Sequence, residues 1–535
     1  MTTIDTHATG AATSPGAGLA SVGDWLTTTD HKRIGRLFIG VSLVALLGVI
    51  VVAALLGIER IDAQGAMIDI NALPQLFSLY RIALTFVVLV PLILGVAIAV
   101  VPLQLGARSL TFPRLAAAGF WTWFVGAVLV IISIAANGGP GGGNSKFVGL
   151  FLVSHIVVLL GLLAAAGSLA TSVLTTRAPG MNMRRVPVFS WSALVGALGL
   201  LALLPAVIGA LIYNYIDYRY TRVGFGGNRA IDSWISFGFT QPATFVYAVP
   251  VFGFAAEVIA VASGRKLAMR GVIFTGIALV GLTAALGGLL QQPAAVARNV
   301  SHMALGDWLS EVVPYALFNL LPVLGGFIVI ALGALALRSG RPRITAPLVF
   351  ALLGALMVFV GIIANAIYNI GDAQLAGTVF EEGAWLYIVY GAVLSALGAI
   401  TYWGPKLWGR VLPDKQVLPL AALGFIATVL ASLPYLIAGF AKQPGNVTEF
   451  DYSGPQNLWN GLSAAGHVLM FVTVLAFAGL ALRSFTKGAH AGDDPWDGQT
   501  LEWATSSPAP LANFADVHTV ASPEPLLDLK PRRDR

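Results

Sequence analysis

The chain has 535 residues, of which 57% are hydrophobic and only 10% charged, and its mean hydropathy is +0.81. Soluble domains carry about 25% charged residues, so this composition excludes a water-soluble enzyme. The chain contains no cysteine, which also excludes disulfides, iron–sulfur clusters and thiolate metal sites.

Apolar runs of about 20 residues, long enough to cross a bilayer as a helix, recur along the chain. The tails at 1–30 and 486–535 are polar, and the first lacks the apolar core of a signal peptide. We expect the second tail to be extended because it is rich in Pro, Ser and Asp. The chain is therefore predicted to be an all-α membrane protein with one domain at 31–485. Its twelve predicted spans are 37–57, 83–103, 115–135, 147–171, 188–213, 235–262, 272–290, 313–337, 346–368, 384–404, 417–440 and 462–482.

Lys and Arg are distributed unevenly between the two sides of the predicted domain. Segments on the side of the N terminus hold 23 of the 31 basic residues, and the loops on the other side hold eight. Because basic residues favour the cytoplasmic side, we expect both termini to be cytoplasmic, with the domain in a bacterial plasma membrane. The basic residues behind the net charge of +6 are thus explained by the orientation of the chain in the membrane. We therefore expect no nucleic-acid partner.

Three long loops on the opposite side, 58–82, 214–234 and 441–461, carry aromatic and charged residues. The tyrosines between 213 and 220, together with Trp234, fit an interfacial belt or a surface for a partner subunit. The glycine-rich segment 137–144 lacks the Gly-Lys-Ser/Thr ending of a phosphate loop. It is predicted to be a flexible turn.

Within the predicted spans, Glu257 is the one residue among Asp, Glu, Lys and Arg. It lies a few residues from the cytoplasmic end of span six, where we expect its carboxylate to reach water. Proton relays and ion-coupled carriers need ionisable groups deep in the bilayer. Judged by the ionisable residues of its spans, the protein is therefore a weak candidate for a proton pump.

Histidine is the main residue type left for haem or metal ligation, because cysteine is absent. Only His155, in span four, and His467, in span twelve, fall within the spans. Hydrogen bonding of each imidazole to a carbonyl or hydroxyl is the simpler interpretation. Haem ligation by either residue is the alternative.

Several motifs occur in order along the chain and resemble haem–copper oxidase subunit I, most closely the bacterial cytochrome c oxidase branch. The resemblance implies a bundle of twelve helices, two haems, copper and proton channels that serve oxygen reduction. The motifs are Trp25–Gly35, Pro102–Arg108, Phe112–Leu115, Thr176–Met181, Tyr402–Arg410 and Asp494–Trp503.

The resemblance fails at the residues that carry the family's chemistry. The proton-route positions match Ile98 and Ala243, and the Lys of span eight has no counterpart, because no Lys occurs between 266 and 406. No residue at the six matched haem and copper ligand positions is a histidine. These six residues are Tyr80, Gln241, Leu289, Leu290, Gly383 and Trp385.

Three functions remain open on the sequence. The first is a subunit I homologue without redox centres or bound cofactor, acting as a structural, assembly or regulatory subunit beside subunit II-like or III-like chains. The second is a cytochrome c oxidase-type redox protein that holds haem through His467 or His155, with Tyr80 as a further ligand. The third is a carrier of small molecules or lipids that uses the emptied haem pores.

Overall fold

The computed structural model describes residues 23–61, 67–69, 72–139, 142–220, 242–287, 294–296, 303–447, 450–514 and 519–529. Three of the six matched ligand positions, Gln241, Leu289 and Leu290, lie outside these residues. Trp234 and most of the tyrosine-containing loop lie outside them as well.

The described chain is almost entirely helical. Two π-helical segments, Ala83–Leu89 and Ala316–Leu320, interrupt otherwise continuous helices, and two-residue strands β1 (Gly138–Gly139) and β2 (Gly142–Gly143) pair as a small antiparallel hairpin. The hairpin occupies the segment predicted to be a flexible turn. The helices are α1 (His31–Glu59), α2 (Leu73–Ile82), α3 (Val90–Gln104), α4 (Pro113–Ala135), α5 (Ser145–Thr175), α6 (Val188–Tyr220), α7 (Pro242–Ser263), α8 (Arg270–Leu286), α9 (Leu305–Tyr315), α10 (Leu321–Ser339), α11 (Ala346–Tyr368), α12 (Phe380–Trp408), α13 (Asp414–Phe440), α14 (Gln456–Lys487) and α15 (Pro525–Leu529).

Eleven helices in the described part of the chain are long and apolar enough to cross a membrane. In this count α2, the first π segment and α3 form one span, as do α9, the second π segment and α10. At the seventh predicted span lies α8, which has 17 residues and is shorter than the others. The structure thus has the multi-pass helical architecture that the hydropathy predicts.

Local chemistry explains where several helices begin and where the π segments occur. Asp30 and Asn144 cap α1 and α5, because each side chain accepts a hydrogen bond from a backbone N–H of the first turn. Each π segment ends shortly before a proline, Pro91 or Pro322. Proline cannot donate the helical hydrogen bond, so the backbone nearby is free to adopt the wider turn.

Small residues let neighbouring helices approach closely. A Cβ atom added at Gly161 would collide with the backbone of Trp123 where α5 crosses α4, and one at Gly466 would collide with Ala431 where α14 crosses α13. Such contacts are typical of helix packing in membranes. The most buried elements are α3 and α12, which therefore form the centre of the bundle.

The segment after α14 packs against one end of the bundle, which we call the N-terminal face because α1 begins there. Asn513 donates through Nδ2 to His31 Nε2 (2.9 Å) and to the Ala107 carbonyl (2.8 Å), and its Oδ1 accepts from Lys32 Nζ (2.9 Å). Glu502 and Trp503 are buried in the same segment. The prediction of an extended tail is therefore wrong for the described part of this segment, because its polar side chains pair with helix ends.

Candidate functional site

Tyr80 lies in α2, one turn before the first π segment, rather than in the loop that the predicted span boundaries imply. Its side chain is buried at 2% exposure. The ring is perpendicular to that of Trp385, with centroids 5.3 Å apart, and also meets the His467 ring edge to face at 6.2 Å. Within the described residues its hydroxyl makes no hydrogen bond. Tyr80 thus joins α2 to α12 and α14.

His467, in α14, contacts the ring of Tyr80. Its Nδ1 lies 2.6 Å from the hydroxyl of Tyr390, and both residues are buried. The hydroxyl donates, or the imidazole does, depending on the tautomer. This contact is a histidine–hydroxyl hydrogen bond of the kind expected for a structural histidine in a membrane.

His155 lies in a separate environment. It is fully buried in α5, and its ring contacts those of Phe86 and Phe151 at centroid distances of 5.5 and 5.6 Å. Whereas α5 packs against α4 and α6, the helix that carries His467 packs against α13 and α1. The structure therefore places the two candidate haem histidines in different parts of the bundle and not across one pocket.

The described residues at the matched ligand positions do not fit a haem between them. Tyr80 and Trp385 are in direct ring contact, so no porphyrin plane has room between these two side chains. At Gly383 an added Cβ atom would lie 2.9 Å from the carbonyl oxygen of Ser432 and 3.0 Å from the backbone nitrogen of Leu436. A histidine there would collide with α13 in the present packing.

A buried ion pair adjoins Tyr80, and the sequence analysis missed it. Arg60 Nη1 donates to Glu382 Oε2 at 2.8 Å and to the Tyr435 hydroxyl at 3.1 Å, and the Arg60 and Glu382 side chains are only 2% and 6% exposed. A neighbouring pair, Arg81–Glu381, is 3.1 Å long and more exposed. We refer to Arg60, Tyr80, Glu382, Trp385, Tyr390 and His467 as the Tyr80 cluster.

The two acidic residues of these pairs occupy the first turn of α12, where the helix dipole favours negative charge. The sequence analysis placed them in a loop because the predicted span begins at 384. A signal was available: Glu381-Glu382 directly precedes an apolar helix, as an N-terminal first turn commonly does.

A second polar cluster lies at the N-terminal face and consists of Gln104, Ser190, Glu257, Trp403 and Glu502. Gln104 Nε2 donates to Glu257 Oε1 and to Glu502 Oε1, and its Oε1 accepts from Ser190 Oγ at 2.6 Å. Glu257 also accepts from the backbone N–H of Phe189, and it is 4% exposed. The expectation that its carboxylate reaches water is therefore wrong, because the C-terminal segment covers it. We call these residues the Glu257 cluster.

The two clusters lie near opposite ends of the bundle. Glu382 of the Tyr80 cluster and Trp403 of the Glu257 cluster are both on α12, and 21 residues of helical rise separate them by about 32 Å. That distance is close to the thickness of a bilayer core, about 30 Å. The two clusters are thus separated by about the thickness of the membrane core.

Burial raises the pKa of the Glu502 carboxyl, because an ionised carboxylate is costly away from water. The folded chain therefore takes up this proton more readily than the unfolded chain, in which the pKa of Glu is about 4.3. This difference in proton affinity stabilises the folded state. The stabilisation is complete at pH values below the unfolded pKa, and it is lost as the pH rises through the higher pKa of the folded state.

We expect Glu502→Gln to reduce the decline of thermal stability with rising pH, because the amide is neutral throughout. The melting midpoint of the detergent-solubilised protein, measured between about pH 5 and 9, tests this. Asp307→Asn, in the exposed first turn of α9, is the matched control. Equal pH slopes for Glu502→Gln and the wild type would contradict the prediction.

The matched proton-route positions hold apolar side chains with structural contacts. Ile98 is buried in α3, and its carbonyl accepts a hydrogen bond from His31 Nδ1 at 3.0 Å. Ala243 is buried in the first turn of α7. Neither side chain carries a group that can hold a proton.

A family model described as "Cytochrome C and Quinol oxidase polypeptide I" matches residues 33–486. The chain belongs to this family. The match covers α1 to α14 almost completely, and it includes the whole Tyr80 cluster and every member of the Glu257 cluster except Glu502. Membership agrees with the resemblance drawn from the sequence motifs and places the protein among haem–copper oxidase subunit I-like membrane proteins of respiratory chains.

Curated relatives cover nearly the whole chain at low identity. "Cytochrome c oxidase subunit 1" of Bacillus subtilis is 27% identical, over 94% of this chain and 82% of the relative. The protein of the same name from Alkalihalophilus pseudofirmus is 28% identical over the same shares. "Heme-copper oxidase subunit I+III" of Aeropyrum pernix is 27% identical, over 94% of this chain and 62% of the relative.

Proposed function

We propose that this subunit I-like protein has lost the family's redox centres and acts as a structural, assembly or regulatory subunit of a respiratory membrane complex. The observation that carries the proposal is the direct contact between Tyr80 and Trp385, two matched ligand positions. The absence of histidine at all six matched positions in the sequence supports it further. Tyr80, Trp385 and His467 fill space among α2, α12 and α14 with side chains.

The proposed structural role is supported by the parts of the family pattern that the chain retains. The family match runs through the whole bundle, while the matched ligand and proton-route positions hold no residue of the required chemistry. The Aeropyrum pernix relative is named a fusion of subunits I and III, which supports a subunit III-like chain as partner, and a subunit II-like chain is the other candidate. Tyr213 and Tyr220 at the end of α6 are 48% and 64% exposed and offer a surface to such a chain.

We further propose that the chain crosses the bacterial plasma membrane twelve times, with the tails at 1–30 and 486–535 in the cytoplasm. The excess of basic residues on the N-terminal face supports this orientation. Because the chain lacks cysteine, single cysteines introduced at Arg338 and Gly377 report the side of each loop. Labelling of the second by an impermeant reagent in whole cells, without labelling of the first, is the expected result.

The reduced-minus-oxidised visible spectrum of the purified protein, with haem and copper analysis of the same sample, tests the loss of redox centres. We expect no haem band and no stoichiometric copper, because the donor set lacks the family's histidines. The Bacillus subtilis relative, produced in the same host and detergent, is the positive control. Stoichiometric haem would overturn the proposal, and Ala variants of His467 and His155 would then identify the ligand.

A further inference from the structure

An apolar groove opens on the membrane-facing surface between α7, α10 and α11. Its volume is about 450 Å³ including its open side, and its walls are almost entirely apolar. Phe252, Ala255 and Ile259 of α7 form the floor, and the half-exposed Ala334 and Leu356 form the rim. Three of the lining residues are alanines, and their small side chains leave the space that forms the groove.

The groove lies in the half of the bundle next to the N-terminal face. On α10 it extends from Val329 to Leu337, which is about 12 Å of helical rise. Leu337 is two residues before the end of α10, and Ile259 is four residues before the end of α7. This depth corresponds to the hydrocarbon layer of one leaflet, about 15 Å.

Three exposed arginines, Arg338, Arg341 and Arg343, lie in the last turn of α10 and the loop that follows it. The loop lies against the end of α7, because the backbone N–H of Arg343 donates to the Ala262 carbonyl at 3.1 Å. None of the ion pairs among the described residues involves these three arginines, whereas Lys266 and Arg270, which follow α7, pair with Asp528 and Glu524. The end of the groove at Leu337 therefore adjoins a loop whose three arginines form no ion pair in the described structure.

We propose that this groove binds an anionic phospholipid, with one acyl chain along α7 and α10 and the phosphate beside the three arginines. An apolar groove within the hydrocarbon layer cannot be filled by water, which finds no hydrogen-bond partners there. Basic residues at the ends of transmembrane helices are a recognised site for anionic headgroups. The adjacency of an apolar groove one leaflet deep and a loop with three unpaired arginines selects this ligand over a zwitterionic lipid.

This site is separate from the volume that the family's redox centres would occupy. The Tyr80 cluster involves α2, α12 and α14 and lies near the opposite end of the bundle. The groove faces the bilayer on the outside of α7, α10 and α11. Lipid binding here is therefore independent of the proposed loss of haem and copper.

Native mass spectrometry of the delipidated full-length protein, titrated with phosphatidylglycerol or phosphatidylcholine, tests the proposal. We expect one phosphatidylglycerol to bind at least about tenfold more tightly than phosphatidylcholine, since each basic residue near a phosphate contributes to affinity. Replacing Arg338, Arg341 and Arg343 by Gln together should abolish this preference. Ala334→Trp, at the exposed rim, should block the acyl chain and reduce binding of both lipids at the site.

Two variants away from the groove serve as matched controls. Arg483→Gln removes an exposed arginine from the last turns of α14, and Leu475→Trp enlarges an exposed membrane-facing residue of the same helix. Both should bind phosphatidylglycerol as the wild type does. Equal affinity for the two lipids, or unchanged phosphatidylglycerol binding in the triple Gln variant, would overturn the proposal. Capture of a protein subunit at Ala334 in place of lipid, detected by crosslinking in native membranes, would overturn it too.

Discussion

Glu382→Ala is expected to lower the free energy of unfolding by about 3–5 kcal/mol, because it leaves Arg60 charged, buried and unpaired. The Arg60 and Glu382 side chains are 2% and 6% exposed, so water cannot replace the lost carboxylate. Two further nitrogens of Arg60 already lack partners among the described residues. Denaturant unfolding of the protein in detergent, followed by tryptophan fluorescence, measures the loss.

The neighbouring ion pair supplies the matched control. Glu381→Ala breaks the Arg81–Glu381 pair, whose side chains are 18% and 29% exposed. The loss of stability should be smaller than for Glu382→Ala, because water partly solvates these two side chains. Similar destabilisation by the two variants, which change adjacent residues of one helical turn, would show that burial does not determine the contribution of these pairs.

Trp385→Ala is expected to cost about 3–5 kcal/mol, as large-to-small substitutions of buried aromatic residues do. The indole packs against the Tyr80 ring and beneath the Arg81 guanidinium, whose Cζ lies 5.8 Å from the ring centre. Its removal would leave a cavity among α2, α12 and α14. The same unfolding measurement gives the cost, and it tests whether Trp385 fills space in the Tyr80 cluster.

Trp308→Ala is the control for this second variant, because Trp308 is 40% exposed in α9. It should change the free energy of unfolding by less than about 1 kcal/mol. If Trp385→Ala were as stable as this control, the indole would not fill the space that we assign to it. The proposed replacement of haem volume by side chains would then lose its main support.

Hydropathy predicted the helical spans because a bilayer requires long apolar runs, and ten of the twelve predicted spans lie wholly within described helices, counting each π segment with the helices that flank it. It did not predict the ends of these helices. Arg81, Glu381 and Glu382 were assigned to loops because a charged residue ends an apolar run, whereas in the structure they lie in α2 and α12. There Arg81 pairs with Glu381, and Glu382 pairs with Arg60. A local sequence pattern carries no information about pairing between residues that are far apart in the chain.

The candidate site was predictable only in its composition. The replacement of ligand histidines could be read from the matched motifs, but the contact of Tyr80 with Trp385 depends on how α2 faces α12. The burial of Glu257 depends likewise on Glu502 and its segment, 245 residues further along the chain. The polar composition of that segment indicated an extended tail, because its polar groups have partners only in the folded bundle.

The hydrogen bonds of Asn513 with His31 and Lys32 join the C-terminal segment to the start of the first transmembrane helix. These partners are 482 and 481 residues apart in sequence, so the first transmembrane helix waits for its last hydrogen bonds until nearly the whole chain has left the ribosome. A chain that stops short of residue 513 lacks the hydrogen bonds of Asn513 to His31 and Lys32. The N-terminal face can therefore close only after the segment through residue 513 has been synthesised.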